Sequence, residues 1–457
     1  GCGKSGDVFS FVMERLGLDF VEAVKHVAAR SGVEVREVTR QRDEDDPHRA
    51  LYELNAFARD WFRARLVDPA TGSAAQAYLL GRGIDDATAE RFGLGYAPDE
   101  WRALRDAAAR HGLDEALMLE VGLLGKSERT NEPYDRFRGR IIFPIEGLSG
   151  KVIAFGGRIL EGGERKDAPK YLNSPETPIY HKGHNLYGLS WARHAIRREE
   201  SAVVVEGYMD VVSLAAHGFE NVVAPLGTAM TPEQAKLLGR YAQRIFLLFD
   251  SDAAGLSATF RAGDTLLEEG LHPAVVTLPT GEDPDSLVRG RGSDALRKHF
   301  DDAVDVLDRK LQILDEKSYF STIERTRSAV DRLLPTLRAA ADPALRDIYV
   351  AKVADRTGVR RETLEAELRK AAQGSVRGPR VETPPSTAPA APRIPKHGAE
   401  RALLLLMTKA ADYVERAGER LGAEDFVDAA HRTIFQALLE DPELRMAYWE
   451  DASDEEA

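Results

Sequence analysis

The chain has a single cysteine, Cys2, in 457 residues. An intrachain disulfide is therefore excluded, and a cysteine-rich zinc site cannot be completed from this sequence alone. No apolar run approaches the roughly 20 residues that a membrane-spanning helix needs. No signal peptide is legible either, although the chain begins without methionine, so its natural start is expected to lie upstream. These absences describe a protein of a reducing, cytoplasmic compartment. Positive charge is outnumbered: 62 Lys and Arg stand against 75 Asp and Glu, and the net charge of −13 by itself argues against the basic field of a nucleic-acid partner. The balance is uneven, however. Residues 134–176, YDRFRGRIIFPIEGLSGKVIAFGGRILEGGERKDAPKYLNSPE, are locally rich in Lys and Arg, whereas the chain ends in EDASDEEA. A local basic groove for a polyanion stays compatible with an acidic total.

A chain of this length exceeds one compact core, and several domains are expected. It opens with two short amphipathic helical runs, VFSFVMERLG and FVEAVKHVAARSG, and then the polar run REVTRQRDEDDPHR. A longer helix is predicted over ALYELNAFARDWFRARL, where Leu51, Leu54, Phe57, Trp61 and Phe62 recur at helical spacing and form a core stripe. From about Tyr134 the pattern changes to short β runs, RIIFPI and KVIAFGG. Between 200 and 300, AVVVEG, NVVAPLG, IFLLFD and AVVTLP are apolar, β-branched runs separated by helical patterns. That alternation predicts a parallel sheet with crossover helices, covered on both faces. Thr231, Pro232 and Gln234 form a helix-start signal with a capping box. Helical sequence follows from Val304 to about Ala372, then the proline-rich SVRGPRVETPPSTAPAAPRIPKHG, read as a tether, and a last helical stretch.

Three of the four apolar runs lead into acids: Glu206 and Asp210 in EGYMD, Asp250 and Asp252 in FDSDAAG, Asp283 and Asp285 in GEDPDS. In an open α/β sheet ligands bind outside the carboxyl ends of the strands, so these acids are expected along one edge. Gathered carboxylates need positive charge. Hard divalent ions such as Mg²⁺ accept such oxygens together with phosphates, and a pair of ions about 4 Å apart suits in-line displacement at phosphorus. Any one acidic pair, taken singly, equally well caps a solvated strand end or a helix N-terminus. The opening GCGKSGDVFSF raises two readings of its own. Gly3-Lys4-Ser5 could end a phosphate-binding P-loop, or Cys2 could be the last ligand of a divided metal site.

The order EGYMDV, FDSDAAG, EDPDS resembles the Toprim metal-binding domain shared by primases, topoisomerases and some nucleases. YDRFRGRIIFPI, FGGRIL and PKYLNSPETPIYHKGHNLYG are similar to the basic subdomain of bacterial DnaG-type primases, and YLLGRGI and RFGLGYAP fit the same family. The resemblance covers nearly the whole chain. It implies an α/β Toprim sheet with flanking helices, an α+β basic subdomain and helical modules. The implied boundaries are 1–40 for the end of a zinc-binding domain and following helices, 41–195 for the basic subdomain, 196–300 for Toprim, 301–373 for a helical subdomain, 374–398 for the tether and 399–457 for part of a helicase-interaction region. The opening then resembles the exit of the family's zinc ribbon, with Cys2 as a final Zn²⁺ ligand and its partners outside the chain. The P-loop reading loses, since it needs a further glycine and a strand ahead of Gly1.

By the same resemblance Glu206, Asp250 and Asp252 form a Mg²⁺ or Mn²⁺ centre, extended by Asp210, Asp283 and Asp285. Glu206 stays open as a ligand or as a general base. Lys170 is assigned to nucleotide phosphates, with Arg158 and Lys182 nearby and Tyr171 and Asn173 as nucleotide contacts. Arg82, Arg136 and Arg138 would track the template backbone. Gly207 fits a tight turn that lets a phosphate approach, and Tyr208 is either a nucleotide contact or a packing aromatic. Arg140, Arg165 and Lys166 are expected to be solvated surface charges. The implied activity is templated synthesis of RNA primers from ribonucleoside triphosphates on single-stranded DNA, by a monomer working with the replicative helicase at the fork. The alternatives are a Toprim nuclease, which has no use for PKYLNSPET, and a scaffold without catalysis, which has no reason to keep the full acid set. A topoisomerase would need a tyrosine nucleophile on a separate domain, and no such region is found.

Overall fold

The computed structural model describes residues 8–16, 18, 20–30, 46–127, 129–160, 169–227, 229–279, 281–375, 396–409, 411–418 and 421–440. Cys2, Gly3-Lys4-Ser5, Arg165, Lys166 and most of the proline-rich stretch lie outside them. The chain divides into two compact units, one of Gly1–Gly227, Arg240–Ala242 and Pro284–Leu296, the other of Thr228–Gly239, Gln243–Asp283 and Arg297–Ala457. Segment 196–300 therefore contributes to both.

In the first unit the two opening amphipathic runs are helices, Val8–Leu16 and Phe20–Arg30. The expected long helix spans Arg49–Val67. Leu51, Leu54 and Phe62 are buried on one face, with Phe57 and Trp61 partly buried against the same core. Asn55 interrupts that stripe, and its amide donates to the Val152 carbonyl at 3.2 Å, so the helix is tied to the sheet as well as packed on it. The strands are β1 (Gly95–Ala97), β2 (Leu124–Lys126), β3 (Pro133–Asp135), β4 (Arg140–Glu146), β5 (Val152–Ile159) and β6 (Tyr171–Asn173). They form an antiparallel sheet of order β1-β4-β5-β6 and a separate β2-β3 hairpin. Strands β4 and β5 are buried almost throughout because both faces are covered. On one face Phe155 meets Phe62 edge to face, with centroids 5.6 Å apart. On the other, Phe143 stacks on Tyr208 at 5.3 Å. Two more strands, β7 (Ser201–Val204) and β8 (Val222–Val223), pair in parallel and are connected through helix Tyr208–Ala216.

In the second unit β9 (Arg244–Leu247) and β10 (His272–Val275) pair in parallel and are connected through helix Ala253–Glu268. All four apolar runs of the 200–300 segment are thus strands, in two parallel pairs with helical crossovers. Strand β11 (Val304–Asp305) adds antiparallel to β10, and two residues are too few for any periodicity to announce it. The capping box is present: the Thr231 N–H donates to Gln234 Oε1 and the Gln234 N–H to Thr231 Oγ1, both at 3.1 Å. Helices Val306–Glu316, Ile323–Ala339 and Pro343–Thr357 share one core with Phe260, Leu267 and Val275. Helices Lys396–Lys409, Ala411–Gly418 and Ala429–Glu440 close a small core around Met407, Phe426 and Phe435. Among the described residues no helix is long and apolar enough to cross a membrane.

Candidate functional site

The first unit carries Glu206 and the basic string. Glu206 is exposed just beyond β7. Gly207 caps helix Tyr208–Ala216, and its N–H donates to Asp210 Oδ2 at 3.1 Å. Its φ is −143°, extended backbone open to any residue, so no left-handed conformation calls for a glycine here. The expectation of Tyr208 as a nucleotide contact is also corrected. The ring is 4% exposed and lies against the β5 backbone, where a Cβ on Gly156 would come within 2.6 Å of it. Its hydroxyl donates to Asn173 Oδ1 at 2.8 Å, and Asn173 Nδ2 donates to the Leu226 carbonyl at 3.0 Å. The packing alternative is the one realised.

Lys170 is exposed at the start of the PKYLN string. Its carbonyl accepts from the Ile159 N–H at 3.0 Å and from Arg140 Nη1 at 3.2 Å. Arg140, expected to be a solvated charge, is 3% exposed. It also donates to the Gly157 and Pro169 carbonyls at 3.2 and 2.8 Å. It is an internal clamp that fixes the backbone beneath Lys170, and the sequence signal was available: an arginine opening the apolar run IIFPI. Arg158 is likewise buried rather than offered to a phosphate. Its Nη1 donates to the Tyr171 hydroxyl at 2.6 Å, and its guanidinium lies 5.4 Å from the Tyr78 ring centre. Burial pushes the Tyr171 hydroxyl above its ordinary pKa against the pull of Arg158. Lys182 is half-buried and opens a short 3₁₀ turn. Glu176 orders that turn by accepting from the Lys182 N–H at 3.0 Å while His181 Nδ1 lies 2.9 Å from its other oxygen.

Arg82, expected along the template, and Asp285, expected in an open acidic patch, are paired with each other. Asp285 is 2% exposed. It accepts from Arg82 Nη1 at 2.7 Å, Ser213 Oγ at 2.6 Å and Arg289 Nε at 3.0 Å. Burial alone would raise its pKa, but these donors hold it below the ordinary carboxylate value. Of the two remaining arginines, Arg136 is half-buried with its pKa lowered by burial. Arg138 is 9% exposed, its guanidinium 3.2 Å from the Trp101 ring centre. Trp101 itself is 60% exposed, an aromatic face that the sequence reading did not single out.

The second unit carries the Asp-x-Asp pair. Asp250 is half-buried after β9, and Asp252 is the exposed N-cap of helix Ala253–Glu268, its Oδ1 accepting from the Gly255 N–H at 2.6 Å. Ser251 links this turn to the next acidic one. Its hydroxyl donates to the Glu282 carbonyl at 3.2 Å and accepts from the Gly281 N–H at 3.1 Å. The FDSDAAG turn is thereby fastened to the segment that presents the half-buried Asp283. Among the described residues no group of three or more His, Cys, Asp or Glu side chains is gathered closely enough to hold a metal ion.

Comparison with known proteins matches this chain to "DNA primase catalytic core, N-terminal domain" over 61–193 and to a Toprim-like domain over 203–288. The DNA primase of Clostridium acetobutylicum is 35% identical over 456 residues, spanning 96% of this chain and 72% of that protein. The chain belongs to the DnaG-type family of bacterial DNA primases. It is accordingly an enzyme of the nucleotidyltransferase class. The primase of Deinococcus radiodurans is 42% identical over 74% of this chain and 57% of its own length. A crystallised primase domain from Pseudomonas aeruginosa superposes with a TM-score of 0.64 at 39% identity, covering 70% of this chain and 99% of that one. A DnaG primase catalytic domain bound to single-stranded DNA gives 0.60 at 33%, over 69% and 98%. Two further matches adjust the expectations. A CHC2 zinc-finger model matches 1–43, so more of that domain is represented than Cys2 alone implied. A DnaB-helicase binding domain of primase matches 320–362, ahead of the tether, whereas the helicase region was expected at 399–457.

Proposed function

We propose that this primase makes short RNA primers on single-stranded DNA from ribonucleoside triphosphates. Glu206, Asp250 and Asp252 would hold Mg²⁺ or Mn²⁺, with Asp210 and Asp283 adding negative charge. The donor chemistry suits such ions, although the described side chains are not gathered around one point: all are hard oxygen donors, Glu206 and Asp252 are exposed, and Asp252 uses one oxygen in its helix cap. Such ions supply charge neutralisation on the phosphates and ease ionisation of the attacking 3′-hydroxyl. The observation that carries the reading is the Ser251 bridge, which holds the Asp-x-Asp turn against the Glu282–Asp283 turn. Lys170, exposed on a backbone fixed by Arg140, binds triphosphate, with Lys182 further along the same string on the Glu176-ordered turn. Arg136 and Arg138 follow the template phosphates. Glu206 acts as a ligand or takes the hydroxyl proton. Zn²⁺ at Cys2 belongs to the zinc-finger region, and the replicative helicase binds through the helical segment matched at 320–362. The enzyme acts as a monomer in the cytoplasm.

The test is synthesis of labelled RNA on single-stranded DNA with Mg²⁺ or Mn²⁺ and all four ribonucleoside triphosphates, with a pre-annealed primer in one arm. Metal-dependent product that disappears in Asp250→Ala and Asp252→Ala, with both variants still folded, is the expected outcome. Metal-dependent loss of the DNA without product would make the protein a Toprim nuclease. Inactivity in both arms, with the helicase still bound, would make it a scaffold.

A further inference from the structure

Two residues whose types suit nucleotide contact, Asn173 and Tyr208, are bonded to each other. The bond joins the string that presents Lys170 to the turn that presents Glu206. Tyr208 follows Glu206 by two residues and opens its helix. Its ring is buried between Phe143, stacked at 5.3 Å, and Tyr187, perpendicular at 4.7 Å. Its hydroxyl reaches Asn173 Oδ1 at 2.8 Å, and Asn173 Nδ2 continues to the Leu226 carbonyl at 3.0 Å. Asn173 ends β6, three residues after Lys170, and faces Gly156 in the β5 register.

The backbone on both sides is shaped for this chain of bonds. A side chain at Gly156 would enter the Tyr208 ring. At Gly227 φ is +75°, and a Cβ would lie 2.9 Å from Asn173 Nδ2. Two glycines therefore make room for one hydrogen-bonded path from β6 through the Tyr208 ring to the loop after β8. Each end of the Asn173 amide makes one bond within the fold, and together these two bonds fix how the side chain is oriented.

We infer that Asn173 and Tyr208 are a positioning pair, setting Lys170 against Glu206 for the incoming triphosphate rather than touching it. This rests on the proposed function. The pair is tested in the full chain by the primer-extension assay with Tyr208→Phe, Asn173→Ala and the double variant. Tyr208→Phe removes only the buried hydroxyl. The expected result is a rise of about tenfold in KM for ribonucleoside triphosphate, the size of one buried hydrogen bond, with kcat within about twofold of the wild type. Asn173→Ala should do the same, and the double variant should be no worse than either single one. Additive effects in the double variant would overturn the pair and return Asn173 to direct nucleotide contact. A fall in kcat with unchanged KM, tracking loss of folded protein, would reduce the bond to fold maintenance, as would a Tyr208→Phe variant identical to the wild type. If the wild type itself makes no RNA, the proposed function fails first, and that failure is distinct from these.

Discussion

Arg140 shows how far a charged side chain can be from the surface its type predicts. It meets three carbonyls with one guanidinium, at Gly157, Pro169 and Lys170. Planar, forked donors do this and a lysine ammonium cannot. Arg140→Ala removes all three bonds at once and should cost about 2–4 kcal/mol. Arg140→Lys should recover less than half of that. Denaturant midpoints give the cost, and amide exchange at Ile159, which donates to the Lys170 carbonyl, reports whether the string loosens. The acids that lead out of the strands were legible singly, because a short apolar run followed by a carboxylate is a local pattern. What became of Arg82, Asp285 and Arg158 was not legible. Arg82 and Asp285 lie 203 positions apart, and nothing in either neighbourhood announces the other.

Among the elements, helix Ala103–Arg110 depends on a group outside it. The Asp135 carboxylate, in β3, accepts from the Leu104 N–H at 2.7 Å and the Arg105 N–H at 3.1 Å. The Asp135 N–H donates to the Trp101 carbonyl at 2.8 Å, so the same residue fixes the loop ahead of the helix. Burial raises its pKa from 3.8 to about 6 although both N–H bonds oppose the rise. The folded state therefore holds the proton more tightly than the unfolded one. The contribution is fully present below pH 3.8 and is lost as pH rises through about 6. Relative to Asp135→Asn, the wild type should lose stability between pH 4 and 7 by up to about 3 kcal/mol. Thermal unfolding of both proteins across that range checks the sign, since any fixed penalty of the substitution does not vary with pH. Elements set by local chemistry were readable in the same way: the four apolar runs, the long helix and the Thr231–Gln234 box. Strand β11 was not, because it exists only by pairing with β10.

For the whole molecule, net charge and nucleic-acid binding need not agree. The chain carries −13 overall, and its basic groups divide into those engaged inside the fold and those left outward. Single-stranded DNA affinity should fall steeply with salt, with a slope that counts only the outward ones. Lys182→Ala and Arg136→Ala, both only half-buried, should each flatten the slope of log K against log salt by up to about 0.7. Arg82→Ala should leave the slope unchanged while lowering stability, because its charge answers Asp285. Fluorescence titration of a labelled oligonucleotide at several salt concentrations separates the cases. The basic string and the acids were legible because family motifs keep them contiguous. The division of the chain was not, since Pro284–Leu296 returns to the first unit across a long sequence separation.

Gly156 and Tyr208 occupy a single volume between them, because the ring stands where a side chain on the glycine would grow. A library randomised at Gly156 alone should return glycine, since the Tyr208 ring vetoes any side chain there, whereas one randomised at Tyr208 alone should return flat aromatics, phenylalanine included. Randomised together, the two positions acquire a joint vocabulary, such as Gly156→Ala with Tyr208→Leu, that neither has separately. Those solutions would keep the fold while discarding the hydroxyl that reaches Asn173. Sorting survivors for folding and for RNA synthesis would then show how much of this tyrosine is volume and how much is its hydrogen bond.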